Sequence, residues 1–193
     1  MQILVNAKLG MRTSLFLFLP TLFLIAANEG LGQEKGKDKL TREQLIAAAR
    51  EVMAAAGNCA LITIDESGEP RVRVMDPFPP DSNMIVWLGT NPNSRKVEQI
   101  RNNPHVNLFY FDASGQGYVT IAGTARLVDD PEEKNERWKT EWEAFYPNHA
   151  EAYLLIEVTP DWLEVLSGKH GISGDAKTWK PPTVVFHAYN SND

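Results

Sequence analysis

A chain of 193 residues, 43% hydrophobic and 23% charged, has the composition of one globular domain with terminal extensions. A formal charge of −6 and a pI of about 5.3 argue against general affinity for nucleic acid or anionic membranes. Any phosphate site must therefore be a local basic pocket on an acidic protein. The single cysteine, Cys59, cannot form an intramolecular disulfide. Its place in the apolar run Cys59-Ala60-Leu61-Ile62 marks it as a small core hydrophobe. The four histidines, at 105, 149, 170 and 187, are scattered, and no zinc-ligand spacing is present.

The amino terminus has the pattern of a secretory signal peptide. Lys8 and Arg12 form a basic region, and Ser14 to Ala27 is apolar apart from Pro20. That run is shorter than the roughly 18–20 residues of a spanning helix. Small residues place cleavage after Ala27 or after Gly32, so residues 1–32 are expected to be a leader and 33–39 a linker. The protein is then exported, periplasmic or extracellular. An uncleaved anchor is the other reading, and Met11 is an alternative start. The main domain is expected over 40–168, followed by a tail at 169–193.

Thr41-Arg42-Glu43-Gln44 reads as a capping box, followed by Leu45, Ala48, Ala49, Val52 and Met53 at helical spacing, with Gly57 as the stop. A hairpin follows, with strands at 59–64 and 70–75, which puts Arg71 and Arg73 on one face and Val72 and Val74 on the other. Asp76 to Asp81 is a Pro-rich loop, and 84–88 is a strand. A helix is expected over 95–102, stopped by Asn103-Pro104. Strands are expected at 106–111 and 118–127, with Gly123 as a bulge or close approach. Asp130-Pro131-Glu132-Glu133 starts a third helix, on which Trp138, Trp142 and Phe145 form an apolar stripe read as core. Two more strands, 154–158 and 162–166, are joined at Thr159-Pro160-Asp161. Residues 184–186 could add a short edge strand. Short turns between strands favour antiparallel pairing. The expectation is a mainly β fold with flanking helices, about six antiparallel strands in a small closed or half-closed barrel.

The segment Thr90-Asn91-Pro92-Asn93-Ser94-Arg95-Lys96 stands out. Ser94 suits an N-cap, yet Arg95 and Lys96 then occupy the positive end of the helix dipole. Free N–H groups, a hydroxyl and two cations at one point suit a phosphate. A solvated helix start that tolerates two basic residues is the other reading. Local patterns for a nucleophilic triad, paired carboxylates, a dinucleotide fingerprint or a P-loop are missing.

Gly68-Glu69-Pro70-Arg71-Val72-Arg73-Val74 is similar to the G-x-P-x-x-R strand of the pyridoxamine 5′-phosphate oxidase-like FMN-binding split barrels. Thr90 to Lys96, with Gln99-Ile100 and Asn103-Pro104, resembles that family's strand-to-helix segment. Val119 to Ala125, Glu157 to Pro160 and Leu163 to Gly168 resemble its later strands. The resemblance implies a split β-barrel and a homodimer with FMN in each of two interfacial clefts. It implies that Arg73, Ser94, Arg95 and Lys96 hold the FMN phosphate. It also implies that the backbone around Val74, Met75, Leu88, Gly89 and Thr90 lines the ring and ribityl chain. Where the authentic oxidase has a Trp, a Gln and a Lys, this chain has Leu166, Tyr118 and Phe78, and it lacks the R-x-H substrate motif. The chain therefore looks closer to the general-stress-protein branch, and vitamin B6 oxidation is not the expected activity.

Two functions follow as expectations. One is an exported FMN-dependent oxidoreductase acting on a small molecule, with Trp87 and Tyr118 as candidates to border the flavin. Trp87 reads equally as a core residue. The other is a non-catalytic carrier or binding protein for flavin, deazaflavin or haem. No catalytic residue and no metal ligand is assigned.

Overall fold

The computed structural model describes residues 40–146 and 152–186, all within one compact unit, Lys39–Asp193. The expected leader and linker lie outside the described residues. No helix among the described residues is long and apolar enough to cross a membrane.

Helix α1 (Arg42–Ala56) forms as its caps dictate. The Thr41 hydroxyl accepts from the Gln44 N–H, the Gln44 side chain accepts from the Thr41 N–H, and Gly57 closes the helix at φ 70°. Its buried residues, Leu45, Ala48, Ala49, Val52 and Met53, pack on the sheet. The strands are β1 (Cys59–Ile64), β2 (Pro70–Met75), β3 (Val86–Thr90), β4 (His105–Asp112), β5 (Gly117–Val128), β6 (Leu154–Ser167) and β7 (Thr183–Val185). Helix α2 (Arg95–Asn102) joins β3 to β4, and α3 (Pro131–Glu136) follows β5.

The expected barrel is not formed. The fold is mixed α/β, built on one open antiparallel sheet of seven strands, not about six, in the order β2-β1-β4-β5-β6-β3 with β7 added to β6. The path ends at β2 and β3. These strands do not pair with each other; the lone bridge Pro77–Leu88 belongs to the loop after β2. Short-turn connectivity settled antiparallel pairing, but closure depends on whether the two end strands meet, which turn lengths do not fix.

The last two expected strands are one. β6 runs through Thr159-Pro160-Asp161 because its register against β5 shifts there: Ala122 faces Trp162, while Gly123 faces Pro160. Asp161 is the extra residue of a bulge. A Cβ at Gly123 would lie 2.2 Å from the Thr159 carbonyl oxygen, so this position tolerates only glycine. The third helix also differs. It ends at Glu136, and a separate 3-10 turn, Thr140–Ala144, carries Trp142. Trp138 and Trp142 therefore reach an aromatic cluster with Trp87, Tyr146 and Tyr153, whereas Phe145 is 76% exposed and leaves the expected core stripe.

Cys59 is buried, as expected of a core hydrophobe, and burial pushes its thiol pKa up to about 12. Gly123→Ala is expected to destabilise the protein by about 1–3 kcal/mol in denaturant titration, because the added methyl forces β5 from β6.

Candidate functional site

Arg73 is the organising side chain. Inward-facing on β2, it donates from Nη1 to Thr63 Oγ1 at 2.6 Å and to the Arg71 carbonyl at 3.0 Å, and from Nη2 to Gln99 Oε1 at 2.8 Å. Thr63 donates to the same Gln99 oxygen at 2.6 Å. Gln99 is buried on α2, so this triad pins the helix to β1 and β2. The guanidinium is satisfied by neutral oxygens, and its positive charge is not cancelled.

The head of α2 supplies two more cations. Ser94 is the N-cap residue but makes no side-chain cap; its hydroxyl lies 3.1 Å from Thr90 Oγ1 instead. The first N–H groups of α2 are thereby left without a side-chain acceptor. Lys96 Nζ donates to Thr90 Oγ1 at 3.0 Å. Among the described residues, Arg73, Arg95 and Lys96 have no carboxylate partner within ion-pair distance. Burial, with the Arg73 charge as the second cause, holds the Lys96 pKa below its ordinary value. Burial and then the Arg95 charge do the same to Arg73. These groups are pressed together against their mutual repulsion, an arrangement that an anion relieves.

A cleft of about 480 Å³ opens beside Lys96. Val74, Met75, Gly89, Thr90 and Lys96 line it, so five of the residues singled out in the sequence meet there. Arg95 lines a neighbouring pocket with Arg71 and Glu98. The Leu88 side chain is fully buried in the core. Tyr118 sits on the outer face of the sheet, beside Phe109 at 5.7 Å and donating to Glu164 at 3.3 Å. Trp87 is in the aromatic cluster, with the Arg137 guanidinium 3.9 Å from its ring centre.

The far wall of the cleft was not read from the sequence. It comes from Asp76 and from Glu141, Trp142, Phe145 and Tyr146. The Trp142 indole N–H donates to Asp76 Oδ2 at 2.9 Å, and Lys139 Nζ donates to Asp76 Oδ1 at 2.5 Å. Trp142 lies across Gly89, where a Cβ would sit 2.5 Å from the indole ring. Glycine at 89 is thus the space that admits the tryptophan. The glycine was visible in the sequence, but its partner lies more than fifty residues away and is placed by the 3-10 turn.

The cleft has the size of an ordinary small-molecule site, roughly 300–1,000 Å³. It has an apolar middle, an aromatic and acidic wall at one end and a basic end with hydroxyls. The residues present fit a flat cofactor carrying one phosphate.

Comparison with known proteins finds relatives by sequence and by structure. A family model described as pyridoxamine 5′-phosphate oxidase matches residues 45–167. General stress protein 26 of Bacillus subtilis is 27% identical over 106 residues, 53% of this chain and 74% of that protein. A solved structure of a Clostridium acetobutylicum protein related to general stress protein 26 superposes with a TM-score of 0.62 at 22% identity, covering 76% of this chain and 96% of that one. A pyridoxamine 5′-phosphate oxidase-related, FMN-binding protein of Nostoc punctiforme gives a TM-score of 0.55 at 14% identity, covering 76% and 97%. At these identities the two structures share the fold.

Gln99→Leu removes the acceptor common to Arg73 and Thr63. It is expected to cost about 1–3 kcal/mol in chemical denaturation, more than Gln99→Glu, which keeps an acceptor.

Proposed function

Because the chain belongs to the pyridoxamine 5′-phosphate oxidase family, in its general-stress-protein-26-like branch, we propose that the cleft beside α2 binds FMN and that the protein is a flavin-dependent oxidoreductase acting on a small molecule. The observation that carries the reading is a group of three cations without carboxylate partners among the described residues, Arg73 on β2 with Arg95 and Lys96 at the head of α2, next to uncapped N–H groups and two hydroxyls. Lys96, Thr90 and the α2 N–H groups would take the phosphate. Arg73 would add charge from below while holding α2 in place. Val74, Met75 and Gly89 would lie along the cofactor's body, and Asp76 with Trp142 would close its far end.

A bound flavin supplies hydride or electron transfer. The protein's part is orientation, exclusion of water by the Trp142 wall, and a positive field at the phosphate. The family resemblance does not extend to the R-x-H motif of the authentic oxidase, so a substrate other than a B6 vitamer is proposed.

We further propose that the protein is a homodimer. The outer face of β2, β1 and β4 exposes Val72 at 65%, Val74 at 74%, Phe109 at 38% and Phe111 at 60%. The register puts them in adjoining rows, Val74–Ala60–Phe109 and Val72–Ile62–Asn107, with Phe111 opposite Tyr118. A contiguous apolar face of this kind is a liability unless covered. Val74 belongs both to this face and to the cleft, so a second copy seated there would reach the cofactor site.

Purified protein is expected to take up FMN and show flavin absorption. Lys96→Ala should weaken binding by about 1.5–3 kcal/mol, the worth of one charge-assisted contact. Protein that stays colourless when FMN is added would overturn the flavin reading, and a haem spectrum would favour the carrier alternative. The double variant Val72→Glu/Phe111→Glu is expected to convert a dimer to a monomer by light scattering; a monomeric parent protein would remove the dimer.

A further inference from the structure

A second pocket, of about 530 Å³, lies between α1 and the Pro-rich loop after β2. Met53, Phe78 and Pro79 give it apolar walls, and Tyr110 lines it from β4. Tyr110 is 1% exposed, and the Cys59 thiol is the one weak partner of its hydroxyl among the described residues. A buried hydroxyl with only a thiol beside it is poorly satisfied.

The charges at this pocket do not balance. Arg50, Lys139 and Asp76 line it. Lys139 is paired with Asp76 at 2.5 Å. Arg50 donates to the carbonyl oxygens of Pro80, at 2.8 Å, and Asp81. The nearby Asp81 carboxylate is turned to the Asn83 and Ile85 N–H groups, at 2.8 and 2.9 Å. Arg50 therefore has no carboxylate partner among the described residues. One positive charge is left over on an otherwise apolar pocket, in a protein whose net charge is −6.

We propose that this pocket binds a small aromatic monocarboxylate, with its ring between Met53, Phe78 and Pro79 and its carboxylate against Arg50 and Lys139. The single uncompensated charge matches a monoanion, and the apolar walls match a ring of one or two six-membered units. This site is separate from the cofactor cleft, but Asp76 lines both.

The probe is naphthalene-2-carboxylate, titrated calorimetrically into the full chain without FMN, so that the outcome does not depend on the flavin reading. One saturable site is expected. Ala54→Trp, on the exposed surface of α1 at the pocket, should abolish it. Lys139→Met keeps the apolar stem and should weaken binding about tenfold, as should replacing the probe by its neutral carboxamide, each equivalent to about 1.4 kcal/mol. The Lys139 variant and the carboxamide do not depend on the plugged variant folding. Absence of saturable binding, or equal binding of the carboxamide, would overturn the proposal. So would full binding to a folded Ala54→Trp protein.

Discussion

The length of β6 is the constraint on which the rest of the molecule depends. Along one edge it pairs with all of β5; along the other its first half carries β3 and its second half carries β7. Fourteen residues stay in one strand only because the bulge at Asp161 absorbs a register error and Gly123 lets the Thr159 carbonyl approach. Where β6 places β3, Thr90 and the head of α2 follow. The cleft is thus positioned by the ladder between β3 and β6.

Two clamps then fix the walls of the cleft, and they differ in chemistry. On the basic side, Gln99 accepts from both Arg73 and Thr63, and a neutral amide oxygen holds a cation without cancelling it. A carboxylate there would have paired Arg73 and removed the field that an anionic ligand needs. On the aromatic side, Asp76 accepts from the Lys139 ammonium and from the neutral Trp142 indole N–H, a clamp built on one ion pair that settles the 3-10 turn against Gly89. One wall therefore keeps an uncancelled positive charge, while the other uses an ion pair to hold structure.

The clamp at Asp76 also stands between two cavities, which gives a single carboxylate contact with both. The outer face of the sheet is a separate matter. Its apolar rows do not contribute to the described core, and they are the face on which a second copy is proposed to sit.

The amino-acid sequence by itself determined the local parts. The capping box fixed α1, alternation fixed the hairpin of β1 and β2, and Ser94 marked the start of α2 with Arg95 and Lys96 as its first residues. These are short-range effects of capping, pleat and dipole, and they survive without knowledge of the neighbours. Tertiary structure alone decided what depends on distant partners. It decided that the sheet stays open, because β2 and β3 end apart, and that 154–167 is one strand, because β5 bulges it through Pro160. It split Arg95 from Lys96 into adjoining pockets and brought Asp76 and Trp142 to the cleft across more than sixty residues of chain. Pattern and propensity reach only a few residues along the chain, whereas a wall of the cleft is made wherever packing brings two surfaces together.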